Sequence, residues 1–266
     1  MRALVPNIVT LIGLCVGLTS IRMAIEGRFD IALAAIVIAA LLDGVDGRMA
    51  RLLKVSSRFG AELDSLADFV NFGVAPGLVL YLWGFGDVRS LGWIVVLVFA
   101  LAAALRLARF NVALDSPDKP LWQSAFFVGV PVPAGAILVL LPIYLEALGV
   151  PKALMVTPVL SIYGIGIAAL MVSRLRTFSG KLIGRRIARE YIAPVVVLAV
   201  ALAAVLATYP YLTLALGSLI YLALIPLSIR RYAEAERAME ALSTPALSHD
   251  GAVHADDEQP PRRLHS

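Results

Sequence analysis

Long apolar segments follow one another along most of the chain, and short turns rich in glycine, proline and charge separate most of them. A helix needs about 20 apolar residues to cross the hydrocarbon core of a bilayer. The pattern predicts a bundle of about eight such helices. They cover residues 5–22, 30–50, 61–83, 91–112, 124–147, 152–173, 190–207 and 211–229. Polar and apolar residues do not alternate within these segments, so the pattern favours an all-α integral membrane protein over a membrane barrel.

The composition supports this fold class. The chain is 60% hydrophobic and 16% charged, with a mean hydropathy of +0.86, whereas a soluble domain is about 45–50% apolar and about 25% charged. The net charge of +4 is modest. Because the basic residues lie between apolar segments, we expect them to contact lipid head groups rather than nucleic acid. The single cysteine, Cys15, excludes an internal disulfide framework.

The basic residues are concentrated in alternate turns, which predicts the orientation in the membrane. The richer set is Arg48, Arg51, Lys54, Arg58, Lys119, Arg174, Arg176, Lys181, Arg185, Arg186 and Arg189. The opposite turns hold only Arg22, Arg28, Arg89 and Lys152. The positive-inside bias places the richer side in the cytoplasm. We therefore expect a multi-pass protein of the cell (inner) membrane with both termini cytoplasmic.

The apolar pattern ends near residue 232. We expect residues 1–232 to form the transmembrane catalytic domain and residues 233–266 a cytoplasmic tail. The tail begins with a segment, EAERAMEAL, that could continue the last helix as an amphipathic extension. The remainder is polar, contains proline and has no period, which is typical of disorder.

Four aspartates between the second and third predicted helices carry the strongest chemical signal. Asp43 and Asp46 share one helix face, and Asp64 and Asp68 share another. A hairpin joined by residues 52–59 would bring all four carboxylates together at the cytoplasmic end. Carboxylates gathered near lipid repel one another and lose hydration, so they require protons, basic partners or metal ions.

Small residues accompany these acids. Gly47 and Ala50 share the face of the first pair, and Gly60 lies one turn before the second pair. Larger side chains would block a ligand there, so the pattern favours a site for a metal-bound ligand. The alternative is a salt-bridge cap in which the acids pair with Arg48, Arg51, Lys54 and Arg58.

The spacing of these residues forms one long motif. It runs Asp43-x-x-Asp46-Gly47-x-x-Ala50-Arg51 and, after eight residues, Gly60-x-x-x-Asp64-x-x-x-Asp68. It resembles the complete motif of the CDP-alcohol phosphotransferases. The resemblance implies that the four aspartates hold two divalent ions, Mg²⁺ or Mn²⁺, on the pyrophosphate of a CDP-linked lipid. Two such cations about 3.5–4 Å apart stabilise both the attacking and the leaving oxygen of a transferred phosphoryl group.

The resemblance also assigns roles to single residues. Asp68 would deprotonate the incoming alcohol as well as bind metal. The residues implied for the CDP-lipid are Asn7, Gly47, Ala50, Arg51 and Gly60. Asn7 belongs to a Pro-Asn pair that would lie close to the nucleotide, although the same pair is also an ordinary helix start.

Three further segments resemble the branch of this family that uses L-serine. They are FGVAP at residues 72–76, ARFN at 108–111 and GVPVPA at 129–134. The resemblance implies transfer of a phosphatidyl group from CDP-diacylglycerol to L-serine, giving phosphatidylserine and CMP. Glycerol phosphate or an inositol compound is the alternative acceptor. Asn71 stands where that branch leads us to expect serine, and the segments could also be simple helix punctuation by glycine and proline.

Arg106 and Arg109 lie about one turn apart at the predicted cytoplasmic end of an apolar segment, with Asn111 nearby. Arginine forms forked bonds to carboxylates and phosphates, so these three residues could hold the acceptor. The alternative is that both arginines extend to lipid phosphates.

Intramembrane carboxylates also mark ion pathways, so a divalent-cation transporter is a hypothesis of a different class. It predicts internal repeats and acids near the middle of the membrane, whereas these acids lie toward one end. For the enzyme, we expect CDP-diacylglycerol, L-serine and membrane lipids as partners, and the chain could form a homodimer.

Overall fold

The computed structural model describes residues 4–53, 57–86, 88–114, 126–173, 176–178 and 189–243. The helices are α1 (Leu4–Ile25), α2 (Phe29–Leu53), α3 (Arg58–Asp68), α4 (Ala75–Gly84), α5 (Arg89–Leu114), α6 (Val132–Val139), α7 (Leu141–Ala147), α8 (Thr157–Val172), α9 (Arg189–Thr208) and α10 (Pro210–Ser243). A π-helical segment, Phe69–Val74, joins α3 to α4, and a short 3-10 helix covers Lys152–Leu154. Two short strands, β1 (Phe126–Val128) and β2 (Arg176–Phe178), pair antiparallel.

The predicted helical membrane character is confirmed. Four described segments are long and apolar enough to cross a membrane: Val5–Ile25, Arg58–Gly84, Arg89–Val112 and Pro210–Ser228. Shorter apolar helices cover Val132–Ala147, Thr157–Val172 and Ala193–Thr208. Helix α2 has the length of a span but carries Asp43, Asp46 and Arg48 toward its end. The predicted number of eight spans stays a prediction.

The predicted helix over residues 124–147 is wrong in its first part. Residues 126–128 form strand β1, and α6 begins only at Val132. Gly129 has a φ of +73°, and a Cβ there would lie 2.5 Å from the carbonyl oxygen of Met171. A side chain is therefore excluded at this turn. A second helix, α7, begins at Leu141 and has Pro142 in its first turn, where a proline needs no intrahelical N–H partner.

The core lies where α4, α5, α6, α7 and α8 meet. Its largest fully buried side chains include Phe72, Leu80, Phe99 and Tyr144. Helix α1 packs along α2 and also contacts α3 and α4, so one helix contacts both acidic segments. Many apolar side chains of α1, α5, α9 and α10 are exposed, as expected for surfaces that face lipid.

Helix α10 continues without interruption to Ser243. Residues 233–243 therefore extend the last helix, as the amphipathic segment predicted. The predicted disorder of the remaining tail falls on residues 244–266, which lie outside the described residues. Lys119 and residues 179–188, which contributed to the predicted orientation, also lie outside them.

Candidate active site

The carboxylates of three aspartates converge, as the sequence predicted. Asp43 lies in the C-terminal half of α2, and Asp64 and Asp68 lie in α3. One carboxylate oxygen from each lies within 4.8 Å of the other two. The Ser57 hydroxyl caps α3 by accepting a 3.0 Å hydrogen bond from the Gly60 N–H. This cap fixes the first turn of the helix that carries two of the acids.

Asp46 lines the same cavity but lies against α1. It is 3% exposed, and its Oδ2 accepts a 2.7 Å hydrogen bond from the Thr10 hydroxyl. Its other oxygen, Oδ1, is buried without a hydrogen-bond partner. The complete lining consists of Thr10, Gly13, Ala39, Asp43, Asp46, Asp64, Ala67, Asp68 and Asn71. All four predicted aspartates therefore share one cavity.

The acids lack basic partners within the described part of the chain. The ion pairs found there join Arg22 to Glu26 and Lys152 to Glu146. Arg48 and Arg58 are exposed and form no ion pair with the aspartates, so they give the salt-bridge cap no support. The side chains of Arg51 and Lys54 lie outside the described residues.

This arrangement fits a divalent cation. Carboxylate oxygens are the ligands that Mg²⁺ and similar hard cations prefer. The three converging carboxylates and the unpartnered oxygen of Asp46 provide several such atoms around one space. A cation would also offset the mutual repulsion of the four acids. The donor set therefore matches the metal that the sequence motif implied.

Of the residues predicted to bind the CDP-lipid, Asn7 and Gly60 lie in close contact, whereas Gly47 faces open space. A Cβ added to Gly60 would lie 2.9 Å from Asn7 Oδ1, so Asn7 of α1 lies directly against the start of α3. A Cβ added to Gly47 would meet no atom within 4 Å. Packing therefore does not require glycine at residue 47. The surface beside Asp46 is open at this residue. The side chains of Ala50 and Arg51 lie outside the described residues.

The two predicted acceptor arginines hold backbone carbonyls. Arg106 is 8% exposed, and its Nε donates a 2.6 Å hydrogen bond to the carbonyl oxygen of Val130. Arg109 Nη1 donates a 2.6 Å bond to the carbonyl oxygen of Val172. The Val130 N–H in turn donates to the carbonyl oxygen of Leu170. The arginines thus connect α5 to the segments flanking the paired strands.

Asn111 has a different partner from the arginines. Its Nδ2 donates a 2.9 Å hydrogen bond to the Ser65 hydroxyl, which itself donates to the carbonyl oxygen of Ala61 at 3.1 Å. Ser65 is the residue next to Asp64. Asn111 therefore connects the end of α5 to the turn of α3 that carries an acid of the cluster.

Sequence reasoning missed the part of the site contributed by α1 beyond Asn7. Thr10 bonds to Asp46, Gly17 makes room for Asn71, and Gly13 lines the cavity of the aspartates. Asn7, Thr10, Gly13 and Gly17 are spaced by three or four residues, which places them along one face of α1. A stripe of small and polar residues in an otherwise apolar segment was the signal that could have identified this face.

The fold and the carboxylate site fit a membrane enzyme that acts on a metal-bound substrate. The chain belongs to the CDP-alcohol phosphatidyltransferase family, which it matches over residues 3–173. A second family description, CDP-alcohol phosphatidyltransferase 2, matches residues 190–226. The first match contains the whole acidic motif, so the family resemblance is confirmed and an enzyme is favoured over a cation transporter.

Among the similar curated proteins, several share one name, CDP-diacylglycerol--serine O-phosphatidyltransferase. The protein of that name from Mycobacterium leprae is 40% identical over 226 residues, which cover 85% of this chain and 74% of the relative. The Mycobacterium tuberculosis H37Rv protein is 49% identical over 134 residues, 50% of this chain and 46% of the relative. The Helicobacter pylori J99 protein is 41% identical over 143 residues, 54% of this chain and 58% of the relative.

Proposed function

We propose that this enzyme transfers a phosphatidyl group from CDP-diacylglycerol to the hydroxyl of L-serine, giving phosphatidylserine and CMP. The observation that carries the proposal is the convergence of Asp43, Asp64 and Asp68 oxygens within 4.8 Å in a chain of this family. The relative from Mycobacterium leprae, which aligns over most of both chains, has the name of that reaction. The names of the relatives thus support L-serine as the acceptor, and the carboxylate site supports the metal-dependent transfer.

Asp43, Asp46, Asp64 and Asp68 would hold the divalent cations, Mg²⁺ or Mn²⁺ and two in number. When bound, such cations stabilise negative charge on the attacking and leaving oxygens of a phosphoryl transfer. Asp46 is positioned for this by Thr10, whose hydroxyl occupies one carboxylate oxygen and leaves the other without a partner. The remaining three acids contribute from the C-terminal half of α2 and the second half of α3.

Asp68 would also act as the general base. It would accept the proton of the serine hydroxyl while the serine oxygen forms a bond to the phosphorus that carries diacylglycerol. The bond between that phosphorus and the CMP oxygen breaks, and CMP leaves with the negative charge. Asp68 lies at the last position of α3 and is partly buried among the other acids, which places a proton acceptor beside the proposed cation site.

Asn7, Gly47, Ala50, Arg51 and Gly60 are the proposed contacts of the CDP-lipid. The close approach of Asn7 and Gly60 supports a shared surface between α1 and α3. The open space at Gly47 supports approach of the head group from the α2 side.

The proposed acceptor site is formed by Arg106, Arg109 and Asn111. A guanidinium group has five N–H donors, so the bond from Arg109 to Val172 leaves donors for the serine carboxylate. Arg109 is exposed whereas Arg106 is buried. Arg109 is therefore the stronger candidate for direct contact, and Arg106 would support it.

The proposed location is the inner membrane, with the site and both termini on the cytoplasmic side. This orientation is supported by the basic residues that flank the acidic hairpin. A homodimer remains a prediction.

The test is turnover of the purified full chain with CDP-diacylglycerol, Mn²⁺ or Mg²⁺, and one acceptor at a time. CMP release and the lipid product are both measured. We expect release with L-serine and formation of phosphatidylserine. Equal or faster release with glycerol phosphate or an inositol compound would overturn the acceptor, and metal-independent release would overturn the proposed metal site.

A further inference from the structure

The Ser65 hydroxyl joins the acid-bearing helix α3 to the end of α5. It accepts a 2.9 Å hydrogen bond from Asn111 Nδ2. Its own hydrogen goes to the carbonyl oxygen of Ala61, at 3.1 Å. A serine hydroxyl has one hydrogen to donate, so the amide of Asn111 must be the donor in the first bond. Ser65 is therefore an acceptor for α5, one residue after Asp64 and three before Asp68.

Helix α3 has few other means of attachment. The structure describes it completely, and along its length only Ala67 is fully buried. Its contacts are chiefly with α1 and with the π-helical segment that follows it, and within the described residues it does not pack along α5. A segment that buries few apolar side chains shifts or opens more easily than a core helix. The bond from Asn111 therefore restricts a helix that packing alone holds loosely.

The position of Ser65 gives this bond a consequence for the acids. Side chains three or four residues apart are neighbours on a helix, so Ser65 lies beside Asp68 as well as next to Asp64 in sequence. One oxygen from each of Asp43, Asp64 and Asp68 lies within 4.8 Å of the other two. A small hard cation requires its ligand oxygens at fixed distances. Because a shift of α3 would move two of these acids relative to Asp43 of α2, the bond at Ser65 helps to keep the three together.

The donor of the bond belongs to the proposed acceptor site. Asn111 and Arg109 lie in the last two turns of α5, and Arg109 is bonded to the carbonyl oxygen of Val172 at the end of α8. The end of α5 is thus held between α8 and α3. An acceptor bound by these side chains would reduce their freedom, and order that one ligand has already imposed costs a second ligand less. The acceptor and the cation would then favour each other's binding.

We propose that Ser65 is a positioning residue that couples the acceptor site to the cation site through its bond with Asn111. This inference rests on the proposed function. Ser65 acts on both ligands through its neighbours, since it holds the turn of α3 that carries Asp64 against the end of α5. L-Serine therefore raises the affinity for the divalent cation. The cation raises the affinity for L-serine by the same factor, because coupling between two binding sites is reciprocal.

The test measures the Mn²⁺ affinity of the purified full chain without CDP-lipid, with and without saturating L-serine, from the electron paramagnetic resonance signal of free Mn²⁺. Samples without protein correct for the weak binding of Mn²⁺ by serine itself. In the wild type we expect L-serine to lower the dissociation constant for Mn²⁺ about fivefold or more, as is typical of coupled sites. In Ser65→Ala we expect this serine effect to disappear, because the acceptor of the Asn111 bond is gone.

Two comparisons separate the hydroxyl from the fold. Ser65→Thr keeps a hydroxyl and should keep the serine effect, whereas Ser65→Val has the same shape without a hydroxyl and should lose it. Ser161→Ala is the matched control, because the Ser161 hydroxyl also donates to the carbonyl oxygen four residues earlier, at 2.8 Å, but lies in α8. Its Mn²⁺ affinity and its serine effect should equal those of the wild type. Should Ser65→Ala fail to fold, the comparison of Ser65→Thr with Ser65→Val decides.

The outcomes separate this inference from the proposed function. Saturable Mn²⁺ binding that Asp64→Asn abolishes, together with CMP release from CDP-diacylglycerol and L-serine, supports the cation site and the reaction. If both hold and the serine effect is absent from the wild type, or is unchanged in the variants that lack the hydroxyl, the role of Ser65 is overturned while the proposed function stands. If the wild type binds no Mn²⁺, the cation site and the role of Ser65 are both overturned.

Discussion

The acidic cluster and the arginine end of α5 were both predicted as binding regions, yet the structure satisfies their charges very differently. The aspartate carboxylates form no ion pair in the described residues, and Asp46 keeps one oxygen without a partner. Arg106 and Arg109 each donate a 2.6 Å hydrogen bond to a backbone carbonyl. Charged groups that the fold leaves unsatisfied are available to a ligand, whereas those bonded to backbone also hold the fold.

The difference assigns each region its main task. The acids would bind the cations, and replacing one should change chemistry with little loss of stability. The arginines connect α5 to Val130 and Val172, which lie beyond the same end of the short strand pair. Replacing one leaves a carbonyl without its donor, and a buried unsatisfied group costs about 1–3 kcal/mol.

Asp64→Asn should give the largest effect. The amide cannot supply the anionic oxygen that a hard cation prefers, so we expect phosphatidyl transfer to fall below detection while the protein stays folded in the membrane. CMP release and size-exclusion chromatography measure the two properties. Asp30→Asn is the control, because Asp30 is exposed at the opposite end of α2. Near-normal turnover of Asp64→Asn at saturating Mn²⁺ would show that Asp64 is not a metal ligand.

Asp68→Asn should lower turnover by about 10²- to 10⁴-fold, the usual contribution of a general base. The amide fills the same space but cannot accept the serine proton, so CDP-lipid affinity should change much less. Both quantities are measured on one preparation. Loss of binding in proportion to turnover would make Asp68 a metal ligand only, and full turnover would remove it from the mechanism.

Arg109→Ala should raise the KM for L-serine about 10-fold, which corresponds to about 1.4 kcal/mol of lost binding. The KM for CDP-diacylglycerol should change less, because the proposed contact is with the serine carboxylate. Arg89→Ala, at the other end of α5, is the exposed control. An equal rise in both KM values would mean that Arg109 does not bind serine and has only a structural role, through its bond to Val172.

Arg106→Ala should mainly affect stability. Its loss leaves the carbonyl of Val130 without its donor, and we expect unfolding to become easier by about 1–3 kcal/mol. Thermal unfolding in detergent shows this as a lower Tm than that of Arg89→Ala. An unchanged Tm combined with a large loss of serine affinity would reverse the assignment and make Arg106 a binding residue.

The sequence predicted the features that depend on neighbouring residues. Asp43, Asp46, Asp64 and Asp68 follow helical spacing, so their faces could be derived without the fold. The hydrogen-bond partners of Arg106 and Arg109 could not be predicted in this way, because Val130 and Val172 are 24 and 63 residues away along the chain.

The residues that α1 contributes to the site could not be predicted either, because they depend on contacts between distant parts of the chain. Thr10 bonds to Asp46 across 36 residues, a contact that only the packing of α1 on α2 creates. The strand at residues 126–128 was missed because its apolar residues fit a spanning helix equally well. Gly129 and Pro131 were the signals for a break, and they were interpreted as punctuation within one helix.

The shift of Tm with added Mn²⁺ tests the contrast between the two regions most directly. A cation that binds only the folded protein stabilises it, by about 2.7 kcal/mol at 100 times its Kd. We predict that Mn²⁺ raises the Tm of the wild type and of Arg109→Ala by similar amounts and leaves that of Asp64→Asn unchanged. An equal rise in Asp64→Asn, or its loss in Arg109→Ala, would contradict the assignment of cation binding to the acids and not to the arginines.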